Sequence, residues 1–228
     1  MLLLVLGLLL AVLAFFPQMW VKYVMKKHHR DDPAMSGTGG ELAEHLISRF
    51  RLEGVIVEST EEGRDHFDPA ARAVRLSPSN YQGRSVTAIA VAAHEVGHAI
   101  QFHRNEAIFE LRQKYMPTAA RFSKIGVALM VSVPVAAMVL RSPIAIGIVI
   151  GLSVLFQLLG ALAYLIVLPE EWDASFNKAL PILVDGEYIS SDQHRGARQV
   201  LKAAALTYFA GALANILNIG RWLMILRR

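Results

Sequence analysis

The chain has 228 residues, of which 54% are hydrophobic and 18% are charged. Soluble domains average about 45–50% apolar and about 25% charged residues, so this composition excludes intrinsic disorder and argues against a fully soluble protein. The sequence contains no cysteine, which excludes a disulfide scaffold, a thiolate metal site and a cysteine nucleophile. The net charge of +4 comes mostly from basic residues that flank apolar blocks, so we expect lipid headgroups rather than nucleic acid as partners.

Four apolar blocks predict four membrane-spanning helices. The blocks are residues 1–21, 125–140, 142–169 and 203–220. The first contains no charged side chain over the length of about 20 residues that a spanning helix needs. A signal peptide would have a basic residue before the apolar run and a small-residue cleavage site after it. This block has neither, so we interpret it as an uncleaved anchor. A short turn at residues 141–143 separates the second block from the third, which predicts a helical hairpin.

The polar segment of residues 31–124 predicts a small α+β domain. Its periodicity and turn residues indicate two helices and two short strands. The predicted elements are a helix over 41–52, strands over Val55–Glu58 and Ala73–Leu76, and a helix from Ser85, a suitable N-cap, to Gln101.

Lysine and arginine residues near the block ends predict the orientation in the membrane. Basic clusters follow the first block, precede the second, and lie between the third and the fourth. These three clusters lie on the same side of a four-span protein, so we expect that side and the polar segment to face the cytoplasm. The basic tail, Arg227 and Arg228, lies on the opposite side in this arrangement and argues against it.

The second predicted helix contains His94, Glu95 and His98 in the pattern H-E-x-x-H. Residues four apart on a helix project from the same face, so the two imidazoles can bind one zinc ion. The intervening glutamate can reach the water-occupied position and act as a general base. Burying such a cluster in an alanine-rich helix would be costly without a metal or another partner, which favours a zinc site over two incidental histidines.

A catalytic zinc site needs a third protein ligand besides an open position. His103 lies about half a turn off the face of the two motif histidines, so it is poorly placed. Better candidates are Glu170 and Glu171, two acids at the end of the third block, although acids also suit a solvated helix start. We expect Pro169 to open a new helix here, because it cannot continue the spanning helix without a kink.

The neighbours of the two acids on that helix distinguish them. Glu171 shares a face with Ala174 and Ser175, whose small side chains would let it approach the H-E-x-x-H helix closely. The corresponding neighbour of Glu170 is Asp173, which suits solvent or a contact behind the ligands. The spacing therefore favours Glu171 as the third ligand.

Further motifs accompany these residues along the chain. They are Ser36-Gly37-Thr38-Gly39, Asp65-His66-Phe67-Asp68-Pro69, Leu76-Ser77-Pro78, Gly83-Arg84-Ser85-Val86, Ala92-Ala93 before and Ala99-Ile100-Gln101 after the H-E-x-x-H motif, Leu168-Pro169-Glu170-Glu171-Trp172-Asp173-Ala174-Ser175, Gly196-Ala197-Arg198-Gln199-Val200-Leu201 and Ala203-Ala204-Ala205-Leu206-Thr207-Tyr208. Together they resemble the YugP-like family of bacterial membrane neutral zinc metallopeptidases. More distantly, the layout is similar to that of HtpX-type membrane proteases, which carry H-E-x-x-H and a downstream glutamate ligand between membrane helices.

The resemblance implies a gluzincin-like peptidase that binds one zinc ion per chain through His94, His98 and Glu171, where the family pattern E-x-x-A-S begins. Soluble gluzincins place an aspartate four residues after this glutamate to orient a ligand histidine, whereas this chain has Ser175. Asp173 or a backbone carbonyl is therefore expected to take that role.

Two further expectations concern the substrate. An oxyanion formed during hydrolysis needs a donor, for which Arg198 and His194 are candidates, and we favour Arg198. A positive-inside arginine is an equally good interpretation of Arg198. The strand Ala73–Leu76 could pair with an extended substrate by β-augmentation.

These observations predict a mainly α fold: a polytopic helical membrane protein of about four spans with a small α+β, zincin-like catalytic insert. The predicted segments are an N-terminal membrane anchor (1–25), the catalytic insert (31–124), a transmembrane hairpin (125–168), a third-ligand helix and loop (169–202) and a C-terminal membrane helix (203–228).

The predicted function is peptide-bond hydrolysis by a multi-pass zinc endopeptidase of the bacterial plasma membrane, with a zinc-activated water and Glu95 as general base. Its substrates would be polypeptides, including membrane or misfolded proteins. The alternative is a zinc-stabilised membrane scaffold or partner-binding protein without turnover. A transporter is disfavoured, because the apolar blocks contain no charged residue.

Overall fold

The computed structural model describes residues 2–226, with side chains described for residues 15–162 and 165–211. Helices dominate beside one small sheet, which confirms the expected mainly α fold. The elements are α1 (Leu2–Lys27), α2 (Gly39–Arg49), β1 (Ile56–Ser59), β2 (His66–Asp68), β3 (Ala73–Leu76), α3 (Pro78–Tyr81), α4 (Val86–His103), α5 (Ala107–Leu140), α6 (Pro143–Trp172), a π-helix (Asp173–Ala179), α7 (Leu180–Asp185), a 3-10 turn (Ser191–Gln193) and α8 (His194–Leu226).

The chain divides into two compact units. A helical unit comprises Met1–Met19, Leu111–Leu168 and Thr207–Arg228, and an α+β unit comprises Trp20–Glu110 and Pro169–Leu206. The helices α1, α5, α6 and α8 each contribute residues to both units.

Within the described part of the chain, two helical stretches are long and apolar enough to cross a membrane, Ala107–Leu140 and Pro143–Asp185. Large apolar side chains lie exposed along them, such as Val139 and Ile144, which are 73% and 78% exposed. Exposed apolar surface on this scale is typical of contact with lipid. The predicted first and last spans fall mostly on residues 1–14 and 212–228, whose side chains lie outside the described part of the chain, so both stay predictions.

Small residues bring α5 and α6 close together within the helical unit. A Cβ added to Gly126 would lie 2.9 Å from the backbone carbonyl oxygen of Ser153 and 2.5 Å from Cγ of Gln157. The hydroxyl of Ser153 donates a hydrogen bond to the carbonyl of Gly126 at 2.8 Å. Polar side chains in these apolar blocks therefore serve interhelical packing.

Capping residues fix where the helices of the α+β unit begin. The Ser85 hydroxyl accepts a hydrogen bond from the Ala88 amide at 3.1 Å, which confirms Ser85 as the N-cap of α4. Thr38 and Glu41 form a capping box at the start of α2. Helix α4 is the centre of this unit: every residue from Thr87 to Gln101 is buried, and α2, α3, β2, β3, α7 and the π-helix contact it.

The sheet corrects one expectation about substrate binding. Its strand order is β1-β3-β2, with β3 parallel to β1 and antiparallel to β2. Strand β3, residues Ala73–Leu76, is therefore central and paired on both sides, so the prediction that it pairs with an extended substrate is wrong. The short strand β2 was not predicted, because Phe67 is its only apolar residue.

The prediction that Pro169 opens a new helix is also wrong. Helix α6 continues through Pro169 to Trp172 and is followed directly by the π-helix. Proline removes one backbone hydrogen bond from a helix and can bend it, but this loss alone does not end the helix. Glu170 and Glu171 consequently lie in the last turn of the long apolar helix, not in a separate one.

Asp65 ties the loop before β2 to the start of α3. Its carboxylate accepts hydrogen bonds from the Ser77 amide at 2.7 Å and from the Ser77 hydroxyl and Asn80 Nδ2 at 3.0 Å. Ser77 and Asn80 are buried, so their polar groups depend on acceptors within the protein.

We predict that Asp65→Ala lowers the free energy of unfolding by about 1–3 kcal/mol, because it leaves buried donors without this acceptor. Unfolding of the purified chain in detergent measures the change. Glu61→Ala is the control, since Glu61 pairs with Arg64 at 3.1 Å while their side chains are 75% and 71% exposed, and should change stability by less than about 0.5 kcal/mol. Equal effects of the two substitutions would contradict this role of Asp65.

Candidate metal centre

The H-E-x-x-H motif lies in the buried middle of α4. His94, Glu95 and His98 are 4%, 7% and 5% exposed, and the two imidazole centroids are 4.7 Å apart. The helix forms here because alanines precede the motif and Ser85 caps the first turn. The two histidines, one turn apart, therefore present their rings on one face, as the spacing predicts.

Glu171 meets these two histidines from the end of α6. Its Oε2 lies 3.2 Å from Nε2 of His94 and 3.3 Å from Nε2 of His98. The two Nε2 atoms are 3.3 Å apart. Two imidazole nitrogens and one carboxylate oxygen thus form a nearly equilateral, buried triangle, and these residues could hold a metal ion.

The triangle has the dimensions that tetrahedral zinc requires. Ligand atoms at bond lengths of about 2.0–2.2 Å and tetrahedral angles are about 3.3–3.6 Å apart, close to the three observed separations. Nitrogen and carboxylate oxygen are also donor types that zinc accepts, and three protein ligands leave a fourth position for water or substrate. The residues present therefore fit a zinc ion.

Gly97 allows the two helices to approach closely enough for this contact. A Cβ at Gly97 would lie 2.8 Å from the carbonyl oxygen of Ala174 in the π-helix. Such a distance is shorter than two unbonded atoms of this kind tolerate, so a larger residue would push the π-helix away. The small residue that matters most is thus in the motif itself, facing Ala174.

Ser175 supports the first histidine. Its hydroxyl lies 3.0 Å from Nδ1 of His94 and donates a hydrogen bond to the carbonyl of Leu201 at 3.1 Å. A hydroxyl has one proton, so a Ser175 that donates to Leu201 accepts from Nδ1–H of His94, whose Nε2 then presents a lone pair. Ser175 itself, and not Asp173, contacts the outer nitrogen of His94, and the backbone carbonyl of Leu201 accepts the hydrogen bond from the Ser175 hydroxyl.

Two residues contact the outer ring nitrogen of His98, and the sequence alone did not indicate either contact. Glu170 is fully buried, with Oε1 3.3 Å from Nδ1 of His98, so it lies behind a histidine of the triangle and not at a solvated helix start. Gln101, whose Oε1 lies 2.9 Å from the same nitrogen, was missed as a site residue. Its position three residues after His98, on one face of the helix, is the signal that could have indicated it.

The remaining predicted site residues lie on α4 and α8. Glu95 follows His94 directly on α4 and is buried. The guanidinium carbon of Arg198 lies 5.9 Å from the ring centroid of Phe176, the residue after Ser175. His194 begins α8. The oxyanion role of Arg198 stays a prediction.

We predict that Gly97→Ala lowers both the melting temperature and the zinc content of the purified chain. Alanine normally favours a helix over glycine by about 1 kcal/mol, so a loss of stability would report the contact with Ala174. Differential scanning fluorimetry and elemental analysis measure the two quantities. Gly147→Ala in α6 is the control, because, outside its own helical turns, no described atom lies within 4 Å of a Cβ built there. Wild-type values for Gly97→Ala would show that the close approach is not required.

Comparison with known proteins agrees with this geometry. The sequence model of the family described as "Putative neutral zinc metallopeptidase" matches residues 2–227. The chain is 36% identical over 217 residues to the "Putative membrane protease YugP" of Bacillus subtilis (strain 168), which covers 93% of this chain and 91% of that protein. No solved structure matches the chain significantly. Because the match extends over nearly the full length, the chain belongs to the family described as putative neutral zinc metallopeptidases.

Proposed function

We propose that this protein is a membrane-integrated, zinc-dependent endopeptidase. The observation that carries the proposal is the buried triangle of His94 Nε2, His98 Nε2 and Glu171 Oε2, with separations of 3.2–3.3 Å. Family membership supports zinc as the metal and peptides as substrates. The name of the Bacillus relative and the two long apolar helices support association with a membrane.

The proposed roles follow from donor chemistry. His94, His98 and Glu171 hold one zinc ion per chain. The bound zinc would supply a Lewis acid that polarises the scissile carbonyl and lowers the pKa of water toward about 7. Glu95 accepts a proton from the attacking water at a carboxylate oxygen and transfers it to the nitrogen of the leaving amine, which completes hydrolysis of the C–N bond. Arg198 is the proposed donor to the oxyanion.

The proposed setting is the bacterial plasma membrane, crossed several times, with the catalytic insert in the cytoplasm. The support for this orientation is the distribution of basic residues along the sequence. Substrates would be polypeptides, including membrane or misfolded proteins.

The proposed orientation predicts that a reporter fused after Lys27 reads cytoplasmic, and that a reporter in the turn at Arg141 reads external.

One observation favours the alternative, a zinc-stabilised scaffold without turnover. All three proposed ligands and Glu95 are buried, and a closed structural site is buried in the same way. The two functions differ in whether a fourth coordination position is open to water, which only a measurement of hydrolysis decides.

We predict that Glu95→Gln keeps zinc but loses hydrolysis by about 10²–10⁴-fold, because the amide keeps the shape of the side chain and lacks its basicity. Cleavage of unfolded and membrane polypeptides, with and without a chelator, measures the loss. Glu44→Gln, an exposed substitution on α2, should leave the rate unchanged. A wild-type protein that binds zinc and cleaves none of these substrates would favour the scaffold.

The two adjacent acids give a second prediction. Glu171→Ala should lose zinc and activity, because it removes a ligand, whereas Glu170→Ala should keep most of both. Metal content of the two purified variants measures the difference. Zinc retained in Glu171→Ala and lost in Glu170→Ala would reverse the assignment.

A further inference from the structure

The side chain of Gln101 makes a buried contact behind the proposed ligand His98. Nε2 of His98 lies 3.3 Å from Glu171, and its other ring nitrogen, Nδ1, lies 2.9 Å from Oε1 of Gln101. Gln101 is fully buried. A buried amide is costly unless both of its ends are hydrogen-bonded, so the orientation of this amide is determined by its partners.

Two acceptors fix that orientation. Nε2 of Gln101 donates hydrogen bonds to the carbonyl oxygen of Glu170 at 3.1 Å and to Oδ2 of Asp173 at 2.9 Å. Only the NH₂ group of the amide can donate, so Oε1 must be the atom that faces His98. An oxygen there accepts a hydrogen bond from Nδ1–H, and a proton on Nδ1 leaves Nε2 of His98 with a lone pair toward Glu171.

Asp173 is itself held in place by a lysine with little solvent exposure. Nζ of Lys178 contacts Oδ2 of Asp173 and donates a hydrogen bond to Oε2 of Glu106 at 2.8 Å. The Lys178 side chain is only 10% exposed, and Asn177 donates a further bond to Oδ1 of Asp173 at 2.8 Å. These contacts compensate the charge of Asp173 and hold it beside Gln101.

We propose that Gln101 is a positioning residue, which holds His98 in the tautomer and ring orientation that a metal needs, and that Asp173, anchored by Lys178, fixes the Gln101 amide. The proposal rests on His98 being a zinc ligand, as in the proposed function. It goes beyond the H-E-x-x-H motif, because it assigns the orientation of the second histidine to an uncharged residue of the same helix. Oε1 of Gln101 lies 2.9 Å from Nδ1 of His98, closer than Oε1 of Glu170 at 3.3 Å. Residues that orient metal-bound histidines typically contribute about 10–100-fold to metal affinity.

The test is Gln101→Met in the full-length chain in detergent, because methionine keeps the length and volume of the side chain and removes both amide bonds. Zn²⁺ affinity is measured by competition with a chromophoric chelator, and the visible absorption of the Co²⁺-loaded protein reports the ligand geometry. We expect affinity to fall by about 10–100-fold and the Co²⁺ bands to change.

Gln199→Met is the matched control. Gln199 also contacts a histidine ring, with Oε1 2.8 Å from Nε2 of His28, but this pair is not among the residues that form the triangle. Its substitution should leave Zn²⁺ affinity and the Co²⁺ spectrum unchanged. Equal losses in both variants would mean a general effect on folding and would overturn the positioning role.

Asp173→Asn keeps the proposal testable should Gln101→Met fail to fold. A neutral asparagine attracts the Gln101 NH₂ group less strongly and no longer prevents the amide from turning over. We expect Zn²⁺ affinity to fall, but by less than for Gln101→Met. An unchanged Zn²⁺ affinity would overturn the anchoring step.

The outcomes also separate this inference from the proposed function. If the wild-type protein binds Zn²⁺, and the Gln101→Met and Asp173→Asn variants bind it with the same affinity, the inference alone is overturned. Wild-type protein that binds Zn²⁺ tightly and hydrolyses no substrate overturns the endopeptidase, while a loss of affinity in Gln101→Met still supports the positioning role. Wild-type protein without Zn²⁺ binding overturns both.

Discussion

The close packing of α4 against the π-helix is the contact on which the rest of the site depends. Gly97 leaves room for the Ala174 backbone, and this approach carries Glu171 to within 3.2–3.3 Å of two histidine nitrogens. It also places Ser175 behind His94 and Asp173 beside Gln101. The absence of a side chain at Gly97 therefore allows Glu171 to reach both histidines, and Ser175 and Asp173 to reach their places behind them.

Burial makes this arrangement informative. Several ionisable side chains, among them Glu95, Glu170 and Glu171, are removed from water in the interior of the α+β unit. Burying such groups costs several kcal/mol each unless charge or hydrogen bonds compensate. Ser175 and Gln101 accept hydrogen bonds from the outer nitrogens of the histidines, and a cation bound by the inner atoms would compensate the carboxylate. The burial of these groups is therefore compatible with a metal ion at the triangle.

The sequence predicted the elements that have strong local signals. The N-cap at Ser85, the α4 helix, the strand Ala73–Leu76 and the family were all predicted and confirmed. The convergence of His94, His98 and Glu171 was expected from spacing and resemblance, and the geometry accommodates it. Their function as ligands stays a proposal.

The failures have a common physical cause, since each depended on tertiary contacts. Helix α6 passes through Pro169 because packing, and not local propensity, decides where it ends. Strand β3 is central because the short strand β2, with only Phe67 buried, pairs with its second edge. The roles of Gln101 and Gly97 depend on Asp173 and Ala174, which lie more than 70 residues away in the chain.

X-ray absorption spectroscopy of the zinc-loaded protein tests the central claim most directly. The account predicts a first shell of nitrogen and oxygen atoms at about 2.0–2.1 Å, with the outer-shell scattering of two imidazole rings. The Glu171→Ala protein, prepared in the same way, should hold no zinc to measure, which would agree with the carboxylate as third ligand. A first shell of oxygen alone, without imidazole scattering, would contradict a zinc centre built on His94 and His98.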